Sequence, residues 1–155
     1  MIKVLFVCHG NICRSPMAEF IFKDYLKKKK MDDLFHIESC ATSSEEIGNP
    51  VHYGTKRILD NLGIDCSSKR ARKIKQQDFF DFDYIIAMDK NNLRWLNGYN
   101  GIEKVKLLLE YAGLKRDVRD PWYTGDFEET YEDILLSIES FFKYLKESDK
   151  LLWVL

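Results

Sequence analysis

The chain of 155 residues lacks a long hydrophobic run, a low-complexity tract and an internal repeat. Its apolar stretch Ile2–Val7 falls far short of the roughly 20 residues that a membrane helix needs, and no small-residue cleavage site follows a positive leader. No membrane association is therefore expected, and a cytoplasmic location is. An excess of one charge is also missing. With 24 Lys and Arg against 25 Asp and Glu, a net charge of −1, there is no general reason for binding nucleic acid or an anionic surface. Cysteine is sparse, limited to Cys8, Cys13, Cys40 and Cys66; in a reducing compartment these are thiols rather than a disulfide framework. Cys8 and Cys13 have a C-x4-C spacing, but His36, Cys40, His52 and Cys66 are scattered, so a zinc site lacks its remaining ligands. No metal and no cofactor is expected.

What is present is a folding sequence with a dense supply of aromatic residues: 45% hydrophobic, 32% charged, with ten Phe, eight Tyr and three Trp. Its length suits one domain over residues 1–155 with a sizeable core. Ile2–Val7 predicts a buried strand. Ser15 and Pro16 follow as an N-cap and a first helical residue, then Met17, Ala18, Ile21, Phe22 and Tyr25 recur at helical spacing until the lysines of 27–30. A strand is expected over Phe35–Ala41, and a helix opened by Asn49-Pro50 and stopped at Gly63. Residues 83–88 predict a third strand, with Asp89 capping the helix after it, and 105–110 a fourth. A long connection over 111–126 leads to a helix whose Phe127, Tyr131, Ile134, Leu135, Ile138, Phe141, Phe142 and Leu145 form one apolar face. Alternating strands and helices point to α/β architecture with a parallel sheet, in which ligands bind beyond the carboxyl ends of the strands. Cys8 and the 111–126 connection both lie there.

The stretch Cys8–Pro16, CHGNICRSP, carries the chemistry. A strand that turns through Gly10 into a helix gathers backbone N–H groups into one concavity, and the helix N-terminus reinforces it as an anion site. Arg14 adds a planar fork matched to phosphate oxygens. The same positive surroundings favour the thiolate of Cys8, the nucleophilic form of cysteine. A thiolate at the floor of a phosphate cradle is aimed at phosphorus.

The segment VCHGNICRSPMAE resembles the signature loop of the low-molecular-weight protein tyrosine phosphatases, and the likeness continues through IESCATS (37–43), DYIIAMDKNNL (83–93) and DPWY (120–123). It covers nearly the whole chain in the family's order. It implies a flavodoxin-like, three-layer α/β/α fold with a four-stranded parallel sheet in the order 2-1-3-4. The implied activity is hydrolysis of phosphotyrosine in proteins or peptides through a cysteinyl-phosphate on Cys8, releasing inorganic phosphate. His9, Gly10, Asn11, Ile12, Cys13, Arg14 and Ser15 would form the phosphate loop, with Arg14 catalytic. Ser15 would ease departure of the sulfur, and Asn11 would shape the loop through Ser15 and Ser39. Asp120 would be general acid and then base, which predicts an acidic pH optimum. Asp89 would cap its helix or orient Arg14.

Ile12, Glu45, Trp122 and Tyr123 are expected to wall the substrate slot. Many members have an aromatic residue where this chain carries Ser44-Glu45-Glu46, which sets acidic groups at the rim. His9 is expected at the rim as well. Cys13 is a candidate redox partner that traps oxidised Cys8 as a disulfide. Related protein-arginine phosphatases carry threonine at the place of Ile12, so apolar bulk there favours an aromatic ring. Thioredoxin-coupled arsenate reductases share the loop but need further cysteines after the second helix, and this chain has none beyond Cys66. A non-catalytic phosphate-binding or redox-sensing module is the remaining alternative. A monomer is expected.

Overall fold

The computed structural model of the protein describes residues 1–148. The chain alternates strand and helix: β1 (Ile2–Cys8), α1 (Arg14–Lys28), β2 (Phe35–Ala41), α2 (Tyr53–Asn61), α3 (Asp78–Asp81), β3 (Tyr84–Ala87), α4 (Lys90–Trp95), β4 (Val105–Leu107), α5 (Pro121–Thr124) and α6 (Phe127–Glu147). The four strands form one parallel sheet in the order β2-β1-β3-β4.

Alternation along β1 explains the three layers. Val4 and Phe6 point to one face, where Met17, Ile21 and Phe22 of α1, Ile58 and Leu59 of α2 and Ile134, Ile138 and Phe141 of α6 complete a core. Leu5 and Val7 point to the other, packing with Ile74, Phe79, Phe82, Ile85, Ala87 and Leu96. The first core is rich in aromatics, and Phe22 sits at its centre with Phe6, Phe35 and Phe141 edge-on around it. One glycine is required by close packing: a Cβ on Gly54 would lie 2.5 Å from the ring of Phe127.

Four boundaries differ from the sequence expectation. The helix after the loop starts at Arg14 with Cys13 as its N-cap residue, because the hydroxyl of Ser15 is engaged elsewhere. The second helix starts at Tyr53 rather than at Asn49-Pro50: Pro50 bridges Arg70, and His52 caps the helix by accepting from the N–H of Gly54. β4 stops at Leu107, after which Leu108–Ala112 coil into a 3-10 helix that ends at Gly113 with φ of 75°. The 111–126 connection contains a short helix, α5, capped by Asp120 with Pro121 at its first position.

Candidate active site

Register places the carboxyl ends of the strands together, since Cys8 pairs with Ala41, Val7 with Ala87 and Ala87 with Leu107. The chain leaves Cys8 and wraps into a loop whose carbonyls are tied outward. Thr42 N–H donates to Cys8 O at 2.9 Å, Ser43 N–H to His9 O at 3.1 Å, and His52 N–H to Ile12 O at 2.8 Å. The Thr55 hydroxyl donates to Cys13 O at 3.1 Å. With these carbonyls tied outward, the loop can turn peptide N–H groups toward its centre.

The sulfur of Cys8 lies at the floor. It accepts from the N–H groups of Asn11 at 3.3 Å and Ser15 at 3.4 Å, and the Ser15 hydroxyl is 3.0 Å away. Donors converging on sulfur stabilise negative charge there. Asn11 adopts φ of 60°, a left-handed conformation unusual for a residue with a side chain. Its amide locks the turn by donating to Ser15 Oγ at 2.8 Å and to Ser39 Oγ at 2.9 Å, while its Oδ1 accepts from the N–H of Arg72 at 3.2 Å. Ser39 in turn donates to the buried carboxylate of Glu19 at 2.5 Å.

Arg14 is only 2% exposed. One terminal nitrogen donates to Asp89 Oδ2 at 2.7 Å and to the carbonyl of Val118 at 2.8 Å; the other reaches Asp120 Oδ2 at 3.4 Å. Burial disfavours its charge, but the charges of Cys8, Asp89 and Asp120 more than offset this and hold the guanidinium above its ordinary pKa. Arg14 therefore stays cationic throughout any working pH range. Asp89 serves two partners, because its Oδ1 also caps α4 by accepting from Asn92 N–H at 2.7 Å. Asp120 is likewise divided, its Oδ1 accepting from Trp122 N–H at 3.0 Å.

A cleft of about 130 Å³ opens above the sulfur, lined by Cys8, Ile12, Cys13, Arg14, Asp120, Trp122, Tyr123, Glu45 and Glu46 among others. Trp122 and Tyr123 are 56% and 84% exposed, so neither is packed beneath the connection. Glu45 pairs with His9 at 3.1 Å, and the His9 ring meets Trp95 edge-on. His52 stacks on Phe127 and supports Trp122 edge-on; burial depresses its pKa, in keeping with a neutral ring that accepts from Gly54. Cys13 also borders the cleft, and burial, with the charges of Cys8 and Asp120, pushes its thiol well above the ordinary range. Cys13 is a neutral thiol lining the same cleft as Cys8.

Several contributors had no sequence signal, His52, Thr55 and Glu19 among them. Val118 acts through a carbonyl, Arg72 through an N–H, and Trp95 reaches the site only because α4 ends beside His9. Among the described residues, no cluster of His, Cys, Asp or Glu is arranged to hold a metal ion, and no helix is long and apolar enough to cross a membrane.

Residues 3–151 match the family described as low molecular weight phosphotyrosine protein phosphatase. The low molecular weight protein-tyrosine-phosphatase YfkJ of Bacillus subtilis is 44% identical over 156 residues, which cover 97% of this chain and all of YfkJ. The crystal structure of YfkJ superposes with a TM-score of 0.90 over 95% of this chain and 96% of that one, at 43% identity. SP-PTP, a low molecular weight protein tyrosine phosphatase from Streptococcus pyogenes, gives 0.85 at 42% identity, covering 97% of each chain. The Drosophila arginine phosphatase DARP gives 0.83 at 35% identity, covering 96% of this chain and 99% of that one. A sulfur ringed by donors, a buried arginine and a facing aspartate thus occur on a shared fold, and this chain belongs to the low molecular weight phosphotyrosine protein phosphatase family.

Proposed function

We propose that the protein hydrolyses phosphotyrosine in proteins or peptides by two displacements at phosphorus, using residues 1–155 as one cytoplasmic domain that acts as a monomer. The observation that carries this reading is the convergence of two backbone N–H groups and the Ser15 hydroxyl on Cys8 Sγ beneath the fork of a buried Arg14. The phosphoryl group docks against Arg14 and the loop amides, which neutralise the charge on its equatorial oxygens in the transition state. Cys8 Sγ attacks phosphorus as the P–O bond to the phenol breaks, and Asp120 delivers a proton to the departing oxygen. In the second step Asp120 takes a proton from water as its oxygen attacks phosphorus. The P–S bond breaks, inorganic phosphate forms, and the Ser15 hydroxyl with the N–H groups of Asn11 and Ser15 receives the returning negative charge on sulfur.

Ile12, Trp122 and Tyr123 offer a flat apolar slot suited to an aryl ring, with Glu45 at its edge. The likeness to an arginine phosphatase makes phosphoarginine the competing substrate. Turnover of phosphotyrosyl and phosphoarginyl peptides of one sequence, with Cys8→Ser as control, decides between them. The expected result is faster phosphotyrosine hydrolysis that disappears in the variant. Faster phosphoarginine turnover would reverse the substrate assignment, and activity surviving in the variant would reject the nucleophile. Cys13 completes the reading as a redox partner: peroxide oxidises Cys8, and Cys13 closes a reversible disulfide with loss of water. Mass spectrometry detecting only sulfonic acid at Cys8 would remove that role.

A further inference from the structure

The segment between residues 69 and 75 does not line the cleft, yet it supplies one of the bonds that hold Asn11 in its left-handed conformation. The donor is the backbone N–H of Arg72, 3.2 Å from Asn11 Oδ1. The same residue is gripped on its other side, where its carbonyl accepts from Ala41 N–H at 2.7 Å, at the end of β2. Its side chain closes the grip. The guanidinium makes a two-pronged pair with Asp78, at 3.0 and 3.1 Å, and reaches Glu38 on β2 at 3.2 Å. Asp78 is 2% exposed and also accepts from Lys75 N–H at 2.9 Å, which folds the chain back on itself. Although burial disfavours charge on Arg72, its hydrogen bonds to Asp78 and the charges of Asp78 and Glu38 favour the cationic form.

We propose that Arg72 and Asp78 are positioning residues for the phosphate cradle: their ion pair fixes the N–H that fixes Asn11, and Asn11 fixes the loop amides. The inference rests on the phosphatase reading but goes beyond it, since neither residue lines the cleft. The physical reason for expecting a catalytic effect is geometric. A non-glycine residue at positive φ persists only when its surroundings over-determine it, and small displacements of aligned groups cost large factors in rate. Asn11 has three side-chain bonds, two from elements already committed to the core and one from this otherwise irregular segment.

The fold contains its own control. Arg116 and Asp133 form a two-pronged pair of similar geometry, at 2.8 and 2.8 Å, on the α6 side and away from the loop. Asp78→Asn and Asp133→Asn are compared by thermal melting, by kcat and KM for an aryl phosphate, and by calorimetric titration with inorganic phosphate. Asp78→Asn is expected to lower kcat about ten-fold or more and to weaken phosphate binding. Asp133→Asn should lose similar thermal stability with kcat and phosphate affinity unchanged, and Arg72→Lys, which keeps the charge but not the fork, should fall in between. Wild-type kcat and phosphate affinity in Asp78→Asn, or equal losses in the two asparagine variants, would overturn the proposal. A wild-type protein that binds phosphate but turns over no aryl phosphate would reject the phosphatase reading instead, while the affinity comparison would still decide this one.

Discussion

The two halves of the site are built differently. The loop from Cys8 to Ser15 is almost wholly buried where it bears load, with Asn11 at 1%, Arg14 at 2% and Ser15 at 0% exposure, and its polar side chains are bonded to several elements at once. In the segment from Asp120 to Tyr123, Pro121 is buried but Trp122 and Tyr123 meet water, and the turn is held by one capping carboxylate and one proline. The difference follows from what each must hold. Negative charge on a phosphoryl group is stabilised by donors fixed beforehand, which requires rigidity. An aryl ring and its flanking chain are held by contact area, and exposed aromatics supply it with little ordering.

Removing the charge-handling atoms should therefore cost most. Cys8→Ser is expected to lower phosphotyrosine turnover by at least about 10⁴-fold while phosphate still binds. Arg14→Lys keeps the charge and loses the fork that is shared among Asp89, Val118 and the phosphoryl group, so kcat should drop about 10³-fold. Asp120→Asn should cost about 10²-fold with a phenolic leaving group. The loss should shrink as the leaving phenol becomes more acidic, and the alkaline limb of the pH–rate curve should flatten. An unchanged limb would exclude Asp120 as the acid. Asn11→Ala separates the halves most sharply: kcat is expected to fall about ten-fold and stability by roughly 1–3 kcal/mol, because buried partners lose their bonds. Trp122→Ala should leave the melting temperature in place and raise KM about two- to ten-fold. A large kcat loss in that variant would show that the exposed half is not merely a wall.

Legibility in the sequence divided along a similar line. The alternation of strand and helix is legible because β1 and β3 are short apolar runs in a β-rich context, whereas the sheet order 2-1-3-4 came only with the family resemblance; Cys8 and Arg14 stand out because a strand, a glycine turn and a helix start bracket them. Boundaries failed where one side chain had two possible employers. Ser15 reads as a cap, but the sulfur and Asn11 claim its hydroxyl. Asn49-Pro50 reads as a helix start, but the backbone there pairs with Ala71 and Arg70 instead. The run Val105–Glu110 is apolar throughout, and such a run does not reveal where a strand gives way to a 3-10 turn. Asp89 reads as either a cap or an arginine partner, and its two oxygens divide the work. Main-chain contributors leave no trace at all: nothing about valine at 118 announces a carbonyl that anchors Arg14.

That carbonyl also has a mechanical consequence. Val118 is 0% exposed, its N–H donates to Met88 O at 3.0 Å, and its own carbonyl accepts from Arg14. The connection is thus pinned to the end of β3 two residues before Asp120, and it is seated again at Phe127, 7% exposed against Gly54 and His52. Between these fixed points Arg119 is seated too: its guanidinium pairs with both carboxylate oxygens of Glu129 on α6 at 2.7 Å, and its carbonyl accepts from the Thr130 hydroxyl at 3.5 Å. Asp120 thus follows clamped residues and caps the turn that carries Trp122 and Tyr123 into water. The span is therefore a bracket, seated at both ends, that sets a carboxylate facing Arg14 beside two exposed aromatic rings.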